Sequence, residues 1–280
     1  MNTAREKQEQ LLKHLAEKEG VAVAFSGGVD SAYLAWAAHE ALGEHALAVT
    51  ALAHSYPERE GEEARILAEK IGIKRVAFAF DEFQVPGFAE NPPDRCYHCK
   101  TAILTEIRRI ANRHGISCVI EGSNMDDKGD YRPGMRAVRE QGVESPLQRA
   151  GLSKAEIREL SWEAGLPTWN KESGACLASR VAYGEPITPE KLRMTELAEE
   201  YLRKFGVRGQ LRVRVHGSLA RLEVPEEYAP VLMRKENREK IREELKRLGF
   251  SYVTVDLQGY RMGSMNEPLD LGEKSGNLLK

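Results

Sequence analysis

The chain lacks any apolar run long enough to cross a bilayer. Val21–Phe25 and Cys118–Ile120, its most apolar stretches, fall far short of the roughly 20 residues that a membrane helix requires. Residues 1–20 are amphipathic and mixed in charge, with no apolar core and no small-residue cleavage site. No secretory signal is expected there, and a cytoplasmic location follows. Cysteine is scarce, four residues in 280, so a disulfide scaffold is excluded and thiols are expected. Excess charge is missing too. Against 41 Lys and Arg stand 43 Asp and Glu, a net charge of -2, which argues against a dedicated nucleic-acid binder but leaves room for a local basic patch. There is no internal repeat and no low-complexity tract, and the size suits one large or two modest domains.

What is present is alternation. Val21–Phe25, Ala46–Ala53, Arg75–Phe80 and Ser117–Glu121 read as short strands buried on both faces. Ser31–Leu42, Arg59–Ile71 and Lys100–His114 lie between them with helical spacing, and Gly43, Gly72 and Gly115 follow as C-caps. Such alternation predicts a parallel sheet flanked by helices, with ligands at the carboxyl ends of the strands. Ser26, Ala53–Tyr56, Asp81–Pro93 and Gly122–Asp130 would then share one rim. Beyond Tyr183 the pattern changes. A helix over Thr188–Phe205, a hairpin of Gln210–His216 and Leu219–Val224, a long helix over Glu226–Leu248 and a strand at Ser251–Leu257 predict a smaller α+β domain with an antiparallel sheet. The Gly- and Pro-bearing stretch Val181–Pro186 sets the expected domains at 1–182 and 183–280.

The chemistry is concentrated in Ser26-Gly27-Gly28-Val29-Asp30-Ser31, between the first strand and a helix. Two glycines permit positive φ and close approach to a ligand, and helix-start amides with the helix dipole attract an anion. Ser26 and Ser31 add hydroxyls, and Asp30 can cap the helix or hold Mg²⁺ beside phosphate. An ordinary glycine turn with a serine or aspartate cap is the bland alternative.

This segment resembles the PP-loop of ATP pyrophosphatases, which holds the β,γ-pyrophosphate while the α-phosphate is attacked. It lacks the G-K-[ST] ending of P-loop kinases, so γ-phosphoryl transfer is not implied. Further stretches resemble the LarE-type ATP-dependent sulfur transferases of nickel-pincer cofactor synthesis: Asn91-Pro92-Pro93-Asp94-Arg95-Cys96-Tyr97-His98-Cys99-Lys100, Glu121-Gly122-Ser123-Asn124-Met125-Asp126-Asp127, Gly129-Asp130-Tyr131-Arg132-Pro133-Gly134, Ser145-Pro146-Leu147, Cys176-Leu177-Ala178-Ser179-Arg180, Arg212-Val213-Arg214-Val215-His216 and Gly259-Tyr260-Arg261-Met262-Gly263-Ser264. The resemblance covers nearly the whole chain. It implies ATP, a pyridinium dicarboxylate mononucleotide as the small-molecule substrate, and conversion of adenylated carboxylates to thiocarboxylates. A homo-oligomer is expected. ATP is expected against Ser26, Gly27, Gly28, Asp30, Ser31, Ser55, Gly122 and Asn124, with Asp30, Ser31 and Cys176 as the catalytic residues.

Cys96 and Cys99 form a CxxC pair that opens a helix, Cys176 lies in a Gly- and Ser-bearing loop, and Cys118 sits in an apolar strand as a small core residue. A zinc site would want a fourth ligand, which His98 does not supply, and a redox dithiol would leave Cys176 unexplained. Three thiolates with one open iron suit a [4Fe–4S] cluster, and unligated redox-active cysteines compete with that reading. Within the resembling family some members carry only the cysteine matching Cys176 and give up its sulfur. Others carry all three and are thought to hold a cluster; this sequence has the three-cysteine pattern.

Arg212, Arg214 and His216 alternate with Leu211, Val213 and Val215, so the basic side chains share a strand face at about 7 Å spacing. They could fork a phosphate, or form a solvated face paired with Glu223 across the hairpin. The resemblance implies the former. Arg180 and Arg261 follow the same logic. Asp126, Asp127 and Asp130 could hold Mg²⁺ or only cap and turn. His54, Ser55 and Tyr56 end the second strand, where this fold receives adenine. A tRNA-thiolating PP-loop enzyme is the nearest rival and predicts a basic surface.

Overall fold

The computed structural model describes residues 3–127, 133–172 and 174–267. Asp130, with the rest of 128–132, lies outside the described residues. The chain forms two compact units, 1–85 with 96–174, and 86–95 with 175–280.

The first unit contains α1 (Ala4–Ala16), β1 (Val21–Ala24), α2 (Val29–Leu42), β2 (Ala46–Leu52), α3 (Glu58–Ile71), β3 (Lys74–Ala79), α4 (Arg95–Arg113, within this unit from Cys96), β4 (Cys118–Ile120), α5 (Pro133–Glu140), α6 (Pro146–Arg149) and α7 (Lys154–Glu163). The four strands are parallel, in the order β3-β2-β1-β4. Successive residues of β1 and β2 serve opposite faces, as the pleat requires. Val21, Val23, Ala46 and Ala48 join a core with Leu15, Leu34, Leu67 and Leu160 from α1, α2, α3 and α7. Ala22, Leu47 and Val49 meet Leu104, Ile107 and Val138 from α4 and α5 on the other. Burial on both faces therefore holds for β1 and β2. It fails for β3, whose residues are exposed or half-buried because the order leaves this strand at an edge. Apolar spacing does not single out α5 to α7, although Ser153 and Glu156 build a full capping box for α7.

The second unit carries α8 (Pro189–Arg203), β5 (Arg212–His216), β6 (Leu219–Glu223), α9 (Ala229–Met233), α10 (Lys235–Arg247) and β7 (Tyr252–Val255). Thr188 caps α8 as expected, its hydroxyl accepting from Lys191 N at 3.2 Å. Two expectations are corrected. The sheet is mixed: β5 and β6 are antiparallel, but β7 runs parallel to β6. The reason is that α10 intervenes between β6 and β7 and carries the chain back to the starting end. The long helix over 226–248 is also broken, because Arg234 is extended (φ -57°, ψ 139°) and α10 starts anew after it.

The compact division falls at Gly174/Ala175 rather than at 182/183, and 86–95 joins the second unit. Hydrogen bonds explain the difference. Buried Asn91 donates through Nδ2 to the carbonyls of Val181 (3.3 Å), Ala182 (2.8 Å) and Glu185 (3.2 Å). Gly184 N and Ile187 N return bonds to Asn91 O (3.0 Å) and Ala89 O (2.8 Å). The Gly- and Pro-bearing stretch is thus a bonded seam. Asn91 has φ 57°, in the left-handed region where asparagine is tolerated, and its Oδ1 accepts from Arg95. Asn91→Ala is expected to destabilise the protein by about 2–3 kcal/mol, since it strands buried carbonyls and the Arg95 donor. Urea unfolding monitored by circular dichroism checks this.

Candidate functional site

The turn after β1 is held in one shape by its own hydroxyls. Ser31 Oγ donates to Gly28 O (3.2 Å), accepts from Ser26 N (3.3 Å) and lies 3.1 Å from Ser26 Oγ. Gly27 has φ 70°, and a Cβ there would lie 2.9 Å from the Ala64 Cβ on α3. Both facts require glycine at 27. Gly28 is the N-cap of α2 and has no side chain to satisfy the first amides, so they remain directed at the rim. This geometry suits phosphate oxygens.

The sheet order places the topological switch between β1 and β4, and the site is built at their carboxyl ends. A Cβ on Gly122, just past β4, would lie 3.0 Å from Ser31 N and 3.2 Å from the Asp30 backbone carbon. Asn124 Nδ2 donates to Asp30 Oδ1 at 3.3 Å. The structure therefore brings together Ser26, Gly27, Gly28, Asp30, Ser31, Gly122 and Asn124, all expected from sequence at this rim. Glu121 is buried here. Burial alone would raise its pKa, but the Lys100 ammonium at 3.2 Å, the hydroxyls of Ser145 (2.6 Å) and Ser123 (2.9 Å) and the Ser123 amide hold it below the usual carboxylate range.

Sequence reasoning missed two lysines. Lys154, the first residue of α7, places Nζ 2.5 Å from Asp30 Oδ2. Lys171 places Nζ 3.3 Å from Gly27 O and 2.9 Å from Glu63 Oε2. The start of α7 is readable from its capping box, but nothing in the sequence pairs residue 154 with residue 30.

At the end of β2, the fully buried Glu82 carboxylate accepts from His54 N (3.1 Å) and Ser55 N (2.6 Å), fixing the turn that carries Ser55. Tyr56 donates to Ser26 O at 2.6 Å, and burial holds its phenol above its ordinary pKa, so it stays a donor. Asp126 Oδ2 accepts from Lys154 N (2.8 Å) and Asp127 Oδ2 from Asn124 N (2.9 Å), so both carboxylates act here as turn and helix caps.

In the second unit the basic strand is buried on both sides, so its arginines are not a solvated face: Arg212 and Arg214 are 5% and 6% exposed. Arg214 pairs with Glu223 at 2.8 Å and reaches Ser179 O (3.2 Å) and Ser264 Oγ (3.2 Å). Arg180 forms a two-pronged pair with Glu199 (2.9 and 3.1 Å) and donates to the carbonyls of Ala175 (2.6 Å) and Cys176 (3.2 Å). Arg212 lies over the Tyr260 ring at 5.5 Å. Its pKa is pushed down to about 10 by burial and by the neighbouring Arg180 charge. A buried cation disfavoured in this way gains most from an arriving anion. Arg261 stands farther out, paired with Glu267 at 2.9 Å and Asp256 at 3.5 Å.

Cys96 and Cys99 occupy the first turn of α4, on one helix face at i, i+3 spacing, and both are half-buried. Cys176 is exposed and caps a short 3₁₀ turn, Leu177–Arg180. Cys118 packs partly against the first unit's core, and its thiol donates to Glu144 at 3.5 Å; burial and that carboxylate raise its pKa. Among the described residues no group of three His, Cys, Asp or Glu side chains is gathered as a metal ion would require, and no helix is long and apolar enough to cross a membrane.

A glycine-bearing turn between β1 and α2, stacked against the end of β4 in a sheet of order 3-2-1-4, defines an ATP-using enzyme of the PP-loop class. The family model that matches, over residues 5–88, is that of NAD synthase. A pyridinium-3,5-bisthiocarboxylic acid mononucleotide synthase from Lactiplantibacillus plantarum is 35% identical over 270 residues, 96% of this chain and 97% of its own. An uncharacterized Synechocystis protein is 40% identical over 263 residues, 94% of this chain and 98% of its own. A chain of the glutamine-hydrolyzing GMP synthase from Archaeoglobus fulgidus is 27% identical over 209 residues, 69% of this chain and 68% of its own. Matches of 35% identity along almost the whole length place the chain in the LarE-type family of PP-loop enzymes.

Two outcomes test the site. Gly27→Ala should weaken ATP binding at least about tenfold, since both the left-handed backbone and the contact with Ala64 oppose a Cβ; isothermal titration reads it. The Glu121 pKa is lower folded than unfolded, so its stabilisation is present above the unfolded value near ~4.3 and is lost as pH falls through the folded one. Glu121→Gln should accordingly flatten the acid side of the stability–pH curve, measured by denaturant midpoints between about pH 3 and 6.

Proposed function

We propose that the enzyme adenylates the carboxylates of a pyridinium dicarboxylate mononucleotide and converts them to thiocarboxylates. The observation that carries this reading is the presence of both an amide-lined PP-loop and a buried arginine cluster in a chain that matches the bisthiocarboxylate synthase end to end. The loop amides and the α2 dipole would hold the β,γ-pyrophosphate, and Asp30 would hold Mg²⁺, which when bound screens the phosphates. Gly122, Asn124 and Ser55 would border the nucleotide, while Arg212 and Arg214, with Arg180 and Arg261 beside them, would take the anionic groups of the mononucleotide. The substrate carboxylate attacks the α-phosphorus, pyrophosphate leaves, and the acyl-adenylate then exchanges AMP for sulfur.

For the sulfur, the donor chemistry favours Cys96, Cys99 and Cys176 acting together. A CxxC on one face of a helix start plus one accessible cysteine offers three thiolates, and Cys118, bonded to Glu144, stands outside the set. These three would hold a [4Fe–4S] cluster, which when bound supplies an exchangeable sulfide. In the competing reading Cys176 alone surrenders its sulfur through a thioester and ends as dehydroalanine.

Asp30→Ala and Ser31→Ala are expected to abolish substrate-dependent pyrophosphate release without loss of fold; wild-type turnover in either would defeat the adenylation reading. Arg212→Ala or Arg214→Ala should weaken the mononucleotide by about 1.5–3 kcal/mol, with ATP affinity nearly unchanged. Anaerobically purified protein should contain about four irons, and these should be lost in Cys96→Ala, Cys99→Ala and Cys176→Ala while adenylation persists. Iron-free, active protein with a dehydroalanine at 176 would decide for the sacrificial route.

A further inference from the structure

Cys176 stands in either account of the sulfur step, and the turn it caps, Leu177–Arg180, is held by three guanidinium groups. Arg180 Nη1 donates to Ala175 O (2.6 Å) and Cys176 O (3.2 Å), Arg95 Nη1 to Ala178 O (3.1 Å) and Arg214 Nη1 to Ser179 O (3.2 Å). Within the turn, Ser179 N donates to Cys176 O (3.0 Å) and Val181 N to Ala178 O (3.3 Å). Ala182 N, donating to Val215 O at 3.1 Å, ties the exit to β5. A 3₁₀ turn has poorer hydrogen-bond geometry than an α-helix. The direction of the exposed Cys176 therefore depends on what engages the carbonyls around it.

The three arginines are not equivalent. Arg180 and Arg214 are assigned above to the anionic groups of the mononucleotide, and an arriving phosphate competes with the carbonyls for their N–H donors. Arg95 has no such part. It is 2% exposed, its Nη1 also donates to Asn91 Oδ1, and its guanidinium lies 5.9 Å from the centre of the Tyr183 ring. Asn91 in turn is fastened to the carbonyls of Val181, Ala182 and Glu185, the stretch that leaves the turn. We infer that Arg95 is a positioning residue for Cys176: through Ala178 O it fixes the 176–180 turn while substrate draws on Arg180 and Arg214, so that the sulfur keeps one direction through the reaction. This rests on the reading that Cys176 takes part in sulfur transfer. Arginine suits the task because its planar fork donates in two directions at once and stays charged when buried, whereas a lysine offers one point charge. A shift of about 1 Å at a reacting atom costs on the order of 10²-fold in rate, so a residue acting only through backbone can govern the step.

The test uses the full chain with ATP, Mg²⁺ and a pyridinium dicarboxylate mononucleotide in anaerobic single turnovers with sulfide supplied, and reads thiocarboxylate formed per pyrophosphate released. In Arg95→Met, which keeps the aliphatic stem, that ratio should fall at least about tenfold while pyrophosphate release stays near wild type. A loss of structure alone would lower both together. Amide hydrogen exchange supplies the second readout: residues 176–182 should exchange faster in Arg95→Met, and residues 97–113 of α4 should not. Arg95→Lys, which keeps the charge and one donor, should fall between wild type and Arg95→Met in both readouts, and it carries the comparison alone if the methionine variant does not fold. Leu245→Ala, a truncation of a buried side chain in the same unit, controls for lowered stability and should leave the ratio unchanged. The inference is overturned by a ratio within about twofold of wild type, by equally accelerated exchange along α4, or by an equal fall in Leu245→Ala. Should the wild-type chain form no thiocarboxylate, the sulfur-transfer reading fails, while the exchange comparison still decides the role of Arg95.

Discussion

The approach of the 26–28 backbone to α3 is the constraint on which the rest of the site depends. Because Gly27 takes a positive φ against Ala64, the chain turns sharply from β1 into α2 and leaves the first amides of that helix uncapped by any side chain. An anion placed there meets fixed donors that need no reorganisation, the condition under which electrostatic stabilisation is strongest. Around this turn the neighbouring groups are arranged to hold its shape rather than to fill it. Ser31 bonds within the loop, Tyr56 ties Ser26, and Gly122 lets β4 come within van der Waals distance of α2.

Charge is managed differently in the two units. Around the PP-loop the charged side chains are partly exposed, Lys154 pairing with Asp30 while Lys171 and Arg59 share Glu63, so their partners can be exchanged at modest cost. In the second unit two ion pairs are buried. Arg180 meets both oxygens of Glu199, Arg214 sets two nitrogens on one oxygen of Glu223, and breaking either pair would leave an uncompensated charge out of water. Beside them, burial first and the Arg180 charge second push the pKa of Arg212 down.

Period and punctuation made much of the architecture legible. The β1 turn, the cap at Thr188 and the hairpin at Gly217-Ser218 are local, each depending on residues within a few positions of one another, and the parallel sheet follows from strand–helix alternation. The PP-loop residues, and Gly122 and Asn124 at the end of β4, could be placed on one rim because ligands bind at the carboxyl ends of parallel strands. The parallel pairing of β7 was not legible, because it depends on where a charged helix deposits the chain. Nor was the edge position of β3, since strand order is decided between segments far apart in sequence.

The arginine strand shows the limit most clearly. Alternation along 211–216 determined that Arg212 and Arg214 share a face. Whether that face meets water or protein is set by what packs on it, and tertiary structure buried it against Glu223, Tyr260 and Ser264. In the same way the sequence by itself determined a glycine turn between a strand and a helix. Only the fold brought Lys154 to Asp30 and Lys171 to Gly27, across 124 and 144 positions of chain. Local chemistry is written in adjacent residues, but a charge pair between distant segments exists only once the backbone has closed the distance.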